Sequence, residues 1–486
     1  MYVLHKPFDQ GFIGGTEFHA EELIRNLRYE YVCYVLYPEG ENHLLEEFAD
    51  AFVLRHVLPT SRNDELIEGV LRGFGIDLIH IQHLMGIPRL LLRVARAMRI
   101  PVVLSIHDHF PMCPNLWLVA PHGQYCGLPS DPLIHQRCLE TTFEEPTPSV
   151  SQWRAHYAQL LRDVDLTIFF SEDTRQRFSK LFSLSRTRVF SYGIRLPEKG
   201  TSESPQGQDE RPFSVCFLGY ADVAKGKDLI QAVAPQLARA GVRIHFLGSL
   251  EKGWPISWPE RFRKQMFFHG RYLADEVVTR LREIGPQLVC LLSLLPETFS
   301  RTLSEAWAAG IPVIVGPVGA QAERVRQTGG GVVLLTLKAN AVMEAVLELK
   351  RNRQAHEALR AAVKKIPIYS ELDMVGEYRT FYRTILMNST LQAPRDEFVL
   401  AIASYQVRTP SWLSRTGKPI LHAVQDEQTT LEQPERMRDL MPRTVVGQLL
   451  GLVSMVYLRA CKFGWKETLG RPLRKLERRF IQRLRR

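Results

Sequence analysis

The sequence lacks the long hydrophobic stretches of integral membrane and secreted proteins. Its apolar segment Val445–Leu458 has 14 residues, whereas a helix that spans a bilayer needs about 20. The N-terminal residues Met1–Gly11 have too short an apolar run for a signal peptide and no small-residue cleavage site. We therefore expect neither a bilayer-spanning helix nor a cleaved leader from these segments.

The sequence is also poor in cysteine, with seven in 486 residues, an odd number. Cys216 and Cys290 lie within the apolar, strand-like runs FSVCFLG and LVCLLSL, where a free thiol behaves as a small hydrophobic group. This usage indicates a reducing cytoplasm and excludes a disulfide framework as the basis of the fold.

Outside the C-terminal tail the sequence has almost no excess of positive charge. Of the net charge of +10, Arg459–Arg486 carries +9, from eleven Lys or Arg and two Asp or Glu, which leaves +1 for the rest. Apolar residues recur at helical spacing in this tail, at Leu473, Leu476, Phe480 and Leu484. A basic amphipathic helix suits an anionic membrane surface, and no reading motif favours nucleic acid. We expect a peripheral protein on the inner face of the cell membrane, and a solvated, disordered tail is the alternative.

The order of the apolar runs predicts an α/β protein. Short strand-like runs alternate with helical patterns through two successive parts of the chain, which predicts parallel sheets covered on both faces. Ligands of such sheets bind at the carboxyl ends of the strands, so we expect a cleft between the two parts. The predicted divisions are 1–198 with a Cys-rich insertion at 110–149, a polar linker at 199–212, a second part at 213–370, a crossover helix at 371–392 and an extension at 393–486.

Two glutamates stand where a buried strand gives way to a helix, in the segment LLPETFSRTLSEAWAAGIPVIV. Glu297 lies in the loop after the predicted strand, and Glu305 lies in the early turns of the helix that follows. Two acceptor groups at this spacing suit the recognition of hydroxyl-rich molecules such as sugars and ribose. Alternatively, Thr302-x-x-Glu305 is a capping box, in which Glu305 only satisfies backbone donors.

Two further features suit the binding of an anion. Lys225 lies six residues past Gly219, which ends the run FSVCFLG, and a cation there would neutralise charge on a departing diphosphate. A solvated surface lysine is the alternative. Gly14 and Gly15 precede a helix predicted from about Thr16, and their amides together with the helix N-terminus make an anion site.

The sequence offers little for covalent or metal catalysis. No residue stands out as a nucleophile paired with an activating base. The part at 213–370 has no Asp-x-Asp motif, so we expect no catalytic divalent cation. His107 ends the run PVVLSIHD at the ligand-facing edge of the predicted sheet, where a structural role is the alternative to a role in the site.

The insertion at 110–149 contains residues of the types that bind zinc. His135 and Cys138 lie three apart, as in a zinc knuckle, and Cys113 and Cys126 could complete a tetrahedral set. A structural zinc would order a segment that has no core of its own. Three buried thiols and a surface histidine are the alternative.

Several motifs together resemble family 4 of the retaining glycosyltransferases, which have the GT-B fold of two Rossmann-like domains facing across a cleft. The segment PETFSRTLSEAWAAGIPVIVGPVGAQAE is similar to the family's signature of two spaced glutamates, an Ala-x-Ala-x-Gly-x-Pro-Val run and a Gly-containing loop ending in Glu. The segments GFIGGTEFHAEELIRNL, SIHDHFPMCP, SYGI and GYADVAKGKDLI match further family motifs in the expected order. The resemblance covers about residues 1–390.

The resemblance implies roles for individual residues. Glu305 is expected to hydrogen-bond the ribose hydroxyls of a nucleotide, Glu297 to hold hydroxyls of the transferred sugar, and His107 to orient that sugar. Lys225 is expected to face the diphosphate. The other donor contacts that the resemblance implies come from Gly14, Gly15, Gly270, Ser300, Arg301 and Thr302.

The sequence departs from the family pattern at two positions. Tyr220 stands where the family usually has Arg, and Ser300 stands where it usually has Gly. The first departure leaves one diphosphate cation unaccounted for, which Arg301 or Arg271 could supply.

The resemblance implies a metal-independent retaining glycosyltransferase. It would move a sugar from a nucleotide-diphosphate donor to a saccharide acceptor, lipid-linked, in the synthesis of a cell-surface polysaccharide such as lipopolysaccharide. Two alternatives stay open, a nucleotide-sugar epimerase or phosphorylase of the same fold, and a sugar-binding or scaffolding relative that has lost turnover.

Overall fold

The computed structural model describes residues 1–7, 14–40, 42–48, 53–59, 64–87, 89–129, 131–143, 149–184, 186–197, 212–249, 262, 264–387 and 404–408. The chain forms two compact units, residues 1–101 with 383–486, and residues 102–382. The predicted domain boundaries at 198 and 213 fall inside the second unit and stay a prediction. Nearly all of the predicted linker and the basic tail lie outside the described residues. No helix within the described ranges is long and apolar enough to cross a membrane.

The first unit combines a short parallel sheet with an antiparallel meander. Its elements are β1 (Tyr2–Val3), α1 (Gly15–Leu27), β2 (Cys33–Glu39), β3 (Asn42–Phe48), β4 (Val53–Pro59), α2 (Asp64–Gly73), β5 (Ile79–Ile81), α3 (Arg89–Ala97) and β15 (Ser404–Arg408). The strand order is β15-β4-β3-β2-β1-β5. β1 pairs in parallel with β2 and β5, whereas β2, β3, β4 and β15 pair antiparallel.

The meander is a difference from the purely parallel sheet that the sequence predicts. β2 and β3 are joined at Gly40, whose φ of +59° suits a tight turn, and Glu39 lies opposite Asn42. The strand β15 lies in the extension, for which the sequence predicts no strand, and its pairing with β4 is not local in sequence. A pattern of short apolar runs does not by itself distinguish such antiparallel pairs from βαβ units.

The second unit contains two parallel sheets. Its elements are β6 (Val102–Ser105), α4 (Pro132–Thr142), α5 (Val150–Asp163), β7 (Leu166–Phe169), α6 (Glu172–Ser179), β8 (Thr187–Val189), β9 (Ser214–Leu218), α7 (Lys227–Arg239), β10 (Arg243–Leu247), β11 (Met266–Gly270), α8 (Val277–Ile284), β12 (Leu288–Leu291), α9 (Arg301–Ala308), β13 (Val313–Val315), α10 (Gly319–Thr328), β14 (Gly331–Val333), α11 (Ala339–Arg351), α12 (Arg353–Val363) and α13 (Glu371–Met387). One sheet is β6-β7-β8, and the other has the order β11-β10-β9-β12-β13-β14.

The six-stranded sheet is apolar on both faces, as strands between two helix layers must be. Val215 and Phe217 of β9 face a core cluster with α7 and α11, while Cys216 between them faces a second cluster with α8 and α9. Cys216 and Cys290 are buried, and burial raises the pKa of Cys216 to about 12. The prediction of parallel α/β sheets with buried free thiols at Cys216 and Cys290 is therefore confirmed for this unit.

Candidate functional site

A cavity of about 420 Å³ lies at the carboxyl ends of the strands of the six-stranded sheet. This is the edge at which open parallel sheets bind ligands, because β9 and its neighbour β12 lead to helices on opposite faces. Apolar side chains from β9, β10 and β12 form part of its wall. The polar and charged side chains of the wall are Tyr220, Lys225, Ser249, Arg271, Ser293, Glu297, Thr302 and Gln321.

Lys225 and Glu297 form an ion pair on this wall. Lys225 Nζ donates to Glu297 Oε1, which also accepts from Ser293 Oγ at 2.7 Å. Burial alone would raise the pKa of Glu297, but the charge and hydrogen bond of Lys225 and the hydrogen bond of Ser293 outweigh it, so the pKa lies below its ordinary value. Glu297 is therefore an ionised, hydrogen-bond-accepting group at neutral pH.

The backbone around Lys225 explains how the two groups meet. Lys225 N donates to Asp222 Oδ1 at 2.8 Å, which closes a turn before α7. The next residue, Gly226, has a φ of +78° and approaches Leu292 so closely that a Cβ would lie 2.2 Å from its carbonyl oxygen. The loop after β9 therefore packs closely against the end of β12, which leads to Glu297. Only glycine permits this close approach.

Glu305 is buried and is not among the residues that line this cavity. It is 3% exposed, and its Oε1 lies 3.4 Å from Arg301 Nη2. Burial raises the pKa of Glu305, and Arg301 only partly offsets this. Its other oxygen, Oε2, has no hydrogen-bond partner within the described part of the chain. Such an orphaned buried acceptor is costly unless a ligand supplies a donor.

The capping-box interpretation of Glu305 is wrong. The helix α9 begins at Arg301, so its N-cap is Ser300 and not Thr302. Glu305 contacts Arg301 one turn earlier instead of the backbone at the N-cap. The carboxylate of Glu305 therefore does not cap the N-terminus of α9.

Arg324 fixes the loop between Glu297 and α9. Its guanidinium donates to the carbonyl oxygens of Phe299 and Ser300, both at 3.1 Å, and to Ser304 Oγ at 2.7 Å. It also lies over the ring of Phe299, 4.1 Å from the centroid. Burial lowers the pKa of Arg324 to about 10, so the group stays charged at neutral pH. The loop that carries Glu297 is therefore held by a charged, half-buried guanidinium.

Ser300 occupies a backbone conformation that favours glycine. Its φ is +71°, and its hydroxyl accepts from Gln321 Nε2 at 3.0 Å and lies 3.1 Å from Thr302 Oγ1. A left-handed conformation costs a non-glycine residue about 1–2 kcal/mol. The serine thus keeps the backbone that a glycine would adopt and adds a hydroxyl to the site.

Two substitutions at this position separate strain from hydrogen bonding. Ser300→Ala keeps the strain and loses the hydroxyl, so we expect its free energy of unfolding to fall by about 1 kcal/mol. Ser300→Gly also relieves the strain, so its stability should stay within about 0.5 kcal/mol of the wild type. Urea unfolding of both variants measures the difference. A Ser300→Gly variant less stable than Ser300→Ala would contradict the assignment of strain.

His107 is tied to the Glu297 loop through its backbone. Thr298 Oγ1 donates to the carbonyl oxygen of His107 at 2.9 Å, and the His107 ring packs on Phe170 with centroids 4.8 Å apart. Two residues on, His109 is fully buried, and burial lowers its pKa to about 4 despite the nearby charges of Asp108 and Glu297. The segment after β6 thus contacts the loop of Glu297 at Thr298 and brings a neutral imidazole near the Glu297 carboxylate.

The helix α10 links the two parallel sheets of the second unit. Glu323 accepts from two backbone amides at the start of α6, Glu172 N at 3.2 Å and Asp173 N at 2.5 Å. A carboxylate is favoured there because the first amides of a helix lack intrahelical partners and carry partial positive charge. This contact holds the helix that carries Gln321 and Arg324 against α6.

Gly14 and Gly15 belong to the first unit. Gly15 begins α1, as the sequence predicts within one residue, and Gly14 N donates to Glu17 Oε2 at 2.9 Å. Glu17 is buried and lies 3.4 Å from His5 Nδ1 and 3.8 Å from Lys6 Nζ. One of the two amides is thus satisfied inside the protein, and the anion site of this loop stays a prediction.

The predicted zinc ligands are not assembled into a metal site. The thiols of Cys113, Cys126 and Cys138 are close enough to raise the pKa of Cys113, but burial is the larger cause of that shift. His135 Nε2 lies 2.9 Å from the carbonyl oxygen of Pro129 and 3.0 Å from Arg154 Nη2. In the described ranges no three His, Cys, Asp or Glu side chains are grouped to hold a metal ion. The imidazole is engaged elsewhere, and zinc binding stays a prediction.

Most of the charged groups of the site could be predicted from the sequence, but two residues of α10 could not. Gln321 lines the cavity, and Arg324 holds the loop after Glu297. Gln321 lies in the segment that resembles the family's Gly-containing loop and Arg324 directly follows it, yet their partners are about twenty residues away in sequence. Of the two cations considered in place of Tyr220, Arg271 lies on the cavity wall, whereas Arg301 faces Glu305 and Tyr192.

Comparison with known proteins identifies relatives of both halves of the chain. The model of Glycosyltransferase Family 4 matches residues 13–196, and that of Glycosyl transferases group 1 matches residues 212–352. A glycogen synthase from Thermus thermophilus is 28% identical over 219 residues, which are 41% of this chain and 48% of the relative. One from Thermus caldophilus is 26% identical over 259 residues, 49% and 57% of the two chains. The chain thus spans about half the length of the curated relatives it matches.

Solved structures share the fold at low identity. HepE from Anabaena, solved with UDP and glucose, has a TM-score of 0.50 at 14% identity and covers 79% of this chain and 98% of its own. A sucrose-phosphate synthase from Thermosynechococcus elongatus has a TM-score of 0.52 at 14% identity, covering 80% and 99%. Since the two family models together match more than half of the chain, this protein belongs to the family 4 glycosyltransferases and has the GT-B fold.

Proposed function

We propose that this protein transfers a sugar, with retention, from a nucleotide-diphosphate donor to a saccharide acceptor. The observation that carries the proposal is the ion pair of Lys225 and Glu297 on the wall of a cavity at the strand ends. A donor of this kind brings a diphosphate and a hydroxyl-rich sugar. Lys225, a cation, suits the diphosphate, and Glu297, a hydrogen-bond acceptor, suits the sugar hydroxyls. In the complex each residue would thus contact the donor in place of the other residue.

Arg271 is the cation that we propose in place of the arginine missing at Tyr220. It lies on the cavity wall with Lys225, and both residues follow strands whose ends form the cavity. Two cations there would neutralise the charge that develops on the leaving diphosphate. Arg301 is a weaker candidate, because it already faces the Glu305 carboxylate.

Catalysis in this proposal rests on positioning and electrostatics. The bond from the sugar's anomeric carbon to the diphosphate oxygen breaks, and a bond to an acceptor hydroxyl oxygen forms on the same face. The acceptor's proton passes to the departing diphosphate, whose charge Lys225 and Arg271 stabilise. Glu297 holds hydroxyls of the sugar, and this scheme needs no divalent cation.

The acceptor and the location of the protein are further parts of the proposal. The basic amphipathic pattern of Arg459–Arg486 supports attachment to the anionic inner face of the cell membrane. A membrane-attached transferase would have lipid-linked saccharides within reach, which supports a role in cell-surface polysaccharide synthesis. Release of the protein from membranes after truncation at Arg443 would support this part, and unchanged membrane retention would contradict it.

A transfer assay tests the proposed reaction. UDP-, GDP- and ADP-hexoses are offered with saccharides and lipid-linked saccharides, and products are detected by mass spectrometry. We expect an acceptor mass increased by one sugar, with the donor's anomeric configuration kept in the NMR spectrum of the product. An epimerised donor without transfer would indicate the epimerase alternative. Donor binding with no product from any acceptor would indicate the binding-only alternative.

The raised pKa of Glu305 predicts a pH dependence of nucleotide binding. We propose that ionised Glu305 accepts hydrogen bonds from ribose, so affinity should fall as the pH drops toward a pKa that burial holds above 4.5. Glu305→Gln removes this titration, although the phosphates of the ligand titrate in both proteins. The ratio of the wild-type and Glu305→Gln dissociation constants for UDP, measured from pH 8 to 5, should therefore rise at low pH. A constant ratio would contradict the role of Glu305.

A further inference from the structure

The side chain of Gln321 has a polar atom for which the protein supplies no partner. Gln321 is the third residue of α10, is 3% exposed, and lines the cavity together with Glu297. Its Nε2 donates to Ser300 Oγ at 3.0 Å. Its amide oxygen, Oε1, accepts no hydrogen bond from the residues that the structure describes. Because Gln321 lines the cavity, water or a ligand in the cavity can donate to this oxygen.

The position of Gln321 is fixed by its neighbours. Gly319 has a φ of +79° and packs so tightly that a Cβ would lie 2.5 Å from Glu297 N. The next residue, Ala320, donates its amide to Glu297 O at 2.8 Å. The first turn of α10 is therefore joined directly to the backbone of Glu297, so Gln321 lies next to that residue. The contact with Ser300 then sets the direction of the amide.

Glu297 and Gln321 together make one side of the cavity rich in acceptors. Lys225 and Ser293 both donate to Oε1 of Glu297, and no described residue donates to its Oε2. A ligand that satisfies Oε2 of Glu297 and Oε1 of Gln321 must bring at least two hydrogen-bond donors. Neighbouring sugar hydroxyls meet this requirement, whereas a phosphate or a carboxylate brings acceptors only.

We propose that Gln321 determines donor specificity by accepting a hydrogen bond from one hydroxyl of the transferred sugar. This inference rests on the proposed function, because it takes the sugar of the donor to lie beside Glu297. A donor that lacks the hydroxyl leaves the amide oxygen without a partner, and this loss discriminates more strongly than the loss of an apolar contact. Ser300 shares in the specificity because its hydroxyl holds the amide in place.

Two dissociation constants from calorimetry test the inference. The probes are the UDP-, GDP- or ADP-hexose that wild type binds most tightly and the same nucleoside diphosphate without sugar. In Gln321→Leu the preference for the sugar nucleotide over the nucleoside diphosphate should fall about 5–20-fold, since one neutral hydrogen bond is lost. Affinity for the nucleoside diphosphate should stay within about twofold, because the amide does not reach it. Gln327→Leu changes an exposed glutamine of the same helix and is the matched control.

Monodeoxy sugar nucleotides identify the hydroxyl and protect the test from a folding artefact. For wild type, one deoxy analogue should bind more weakly than the parent donor. For Gln321→Leu, the same analogue and the parent donor should bind equally well. Gln321→Met, of nearly the same length, should repeat the result if leucine destabilises the protein. An unchanged preference in both folded variants would overturn the inference while the proposed function stands. A wild type that binds no sugar nucleotide would overturn both.

Discussion

Glu297→Gln is expected to lower the rate of sugar transfer by about 10²–10³-fold while the protein stays folded. The amide keeps the size of the side chain but loses the charge that pairs with Lys225 and accepts from Ser293. A neutral group also holds sugar hydroxyls less strongly, because hydrogen bonds to charged acceptors are roughly twice as strong. Initial rates under donor saturation measure the effect on the bound complex, separately from donor affinity.

The control for this substitution is Glu283→Gln, which changes an exposed glutamate on α8 of the same unit. It should leave the rate within about twofold of wild type, since surface substitutions away from special features have small effects. Circular dichroism and the urea midpoint of Glu297→Gln should resemble those of wild type. Near-normal turnover by Glu297→Gln would remove this residue from the site.

Lys225→Met is expected to lower the transfer rate by a similar factor, about 10²–10³-fold, because it removes a cation from the leaving diphosphate. It has a second consequence through Glu297. The Lys225 charge is the largest of the effects that lower the pKa of Glu297, and burial opposes it. Without Lys225 the carboxyl should bind a proton at higher pH, so residual activity should be lost at a higher pH than in wild type.

The pH profile distinguishes this account from simple loss of positive charge. The lowered pKa in wild type means that Glu297 stays ionised until the pH falls below 4.5, its ordinary value, so it should not limit activity above that pH. In Lys225→Met the acid limb of the activity profile should move to higher pH. Lys365→Met, at an exposed lysine of the same unit, should change neither the rate nor the profile. If the acid limb of Lys225→Met also stayed at the wild-type pH, the coupling of Lys225 with Glu297 would be contradicted.

Much of the site could be predicted from the sequence because its groups follow strand ends. Glu297 comes after the buried run LVCLLSL, and Lys225 comes after FSVCFLG, and both runs are strands of one parallel sheet. The carboxyl ends of such strands share an edge, so two distant residues could be placed together from local patterns. The family motifs then gave each residue an expected role.

The parts that the sequence did not predict depend on tertiary contacts. Gln321 and Arg324 of α10 bind Ser300, and no local pattern in α10 predicts that these two side chains have a partner there. The antiparallel meander was missed because apolar runs do not distinguish a hairpin from a βαβ unit, and β15 was missed because its partner β4 is distant in sequence. The contact of Arg154 with the ring of His135, nineteen residues away in sequence, was likewise not predicted.

Donor titration by calorimetry tests the central claim most directly, namely that the cavity with Lys225 and Glu297 binds a nucleotide-sugar donor. UDP-, GDP- and ADP-hexoses are titrated into wild type, Lys225→Met and the control Lys365→Met. We expect one donor molecule per chain for at least one nucleotide sugar, with affinity reduced about tenfold or more in Lys225→Met only. Equal affinity in all three proteins would place the donor elsewhere and contradict the account.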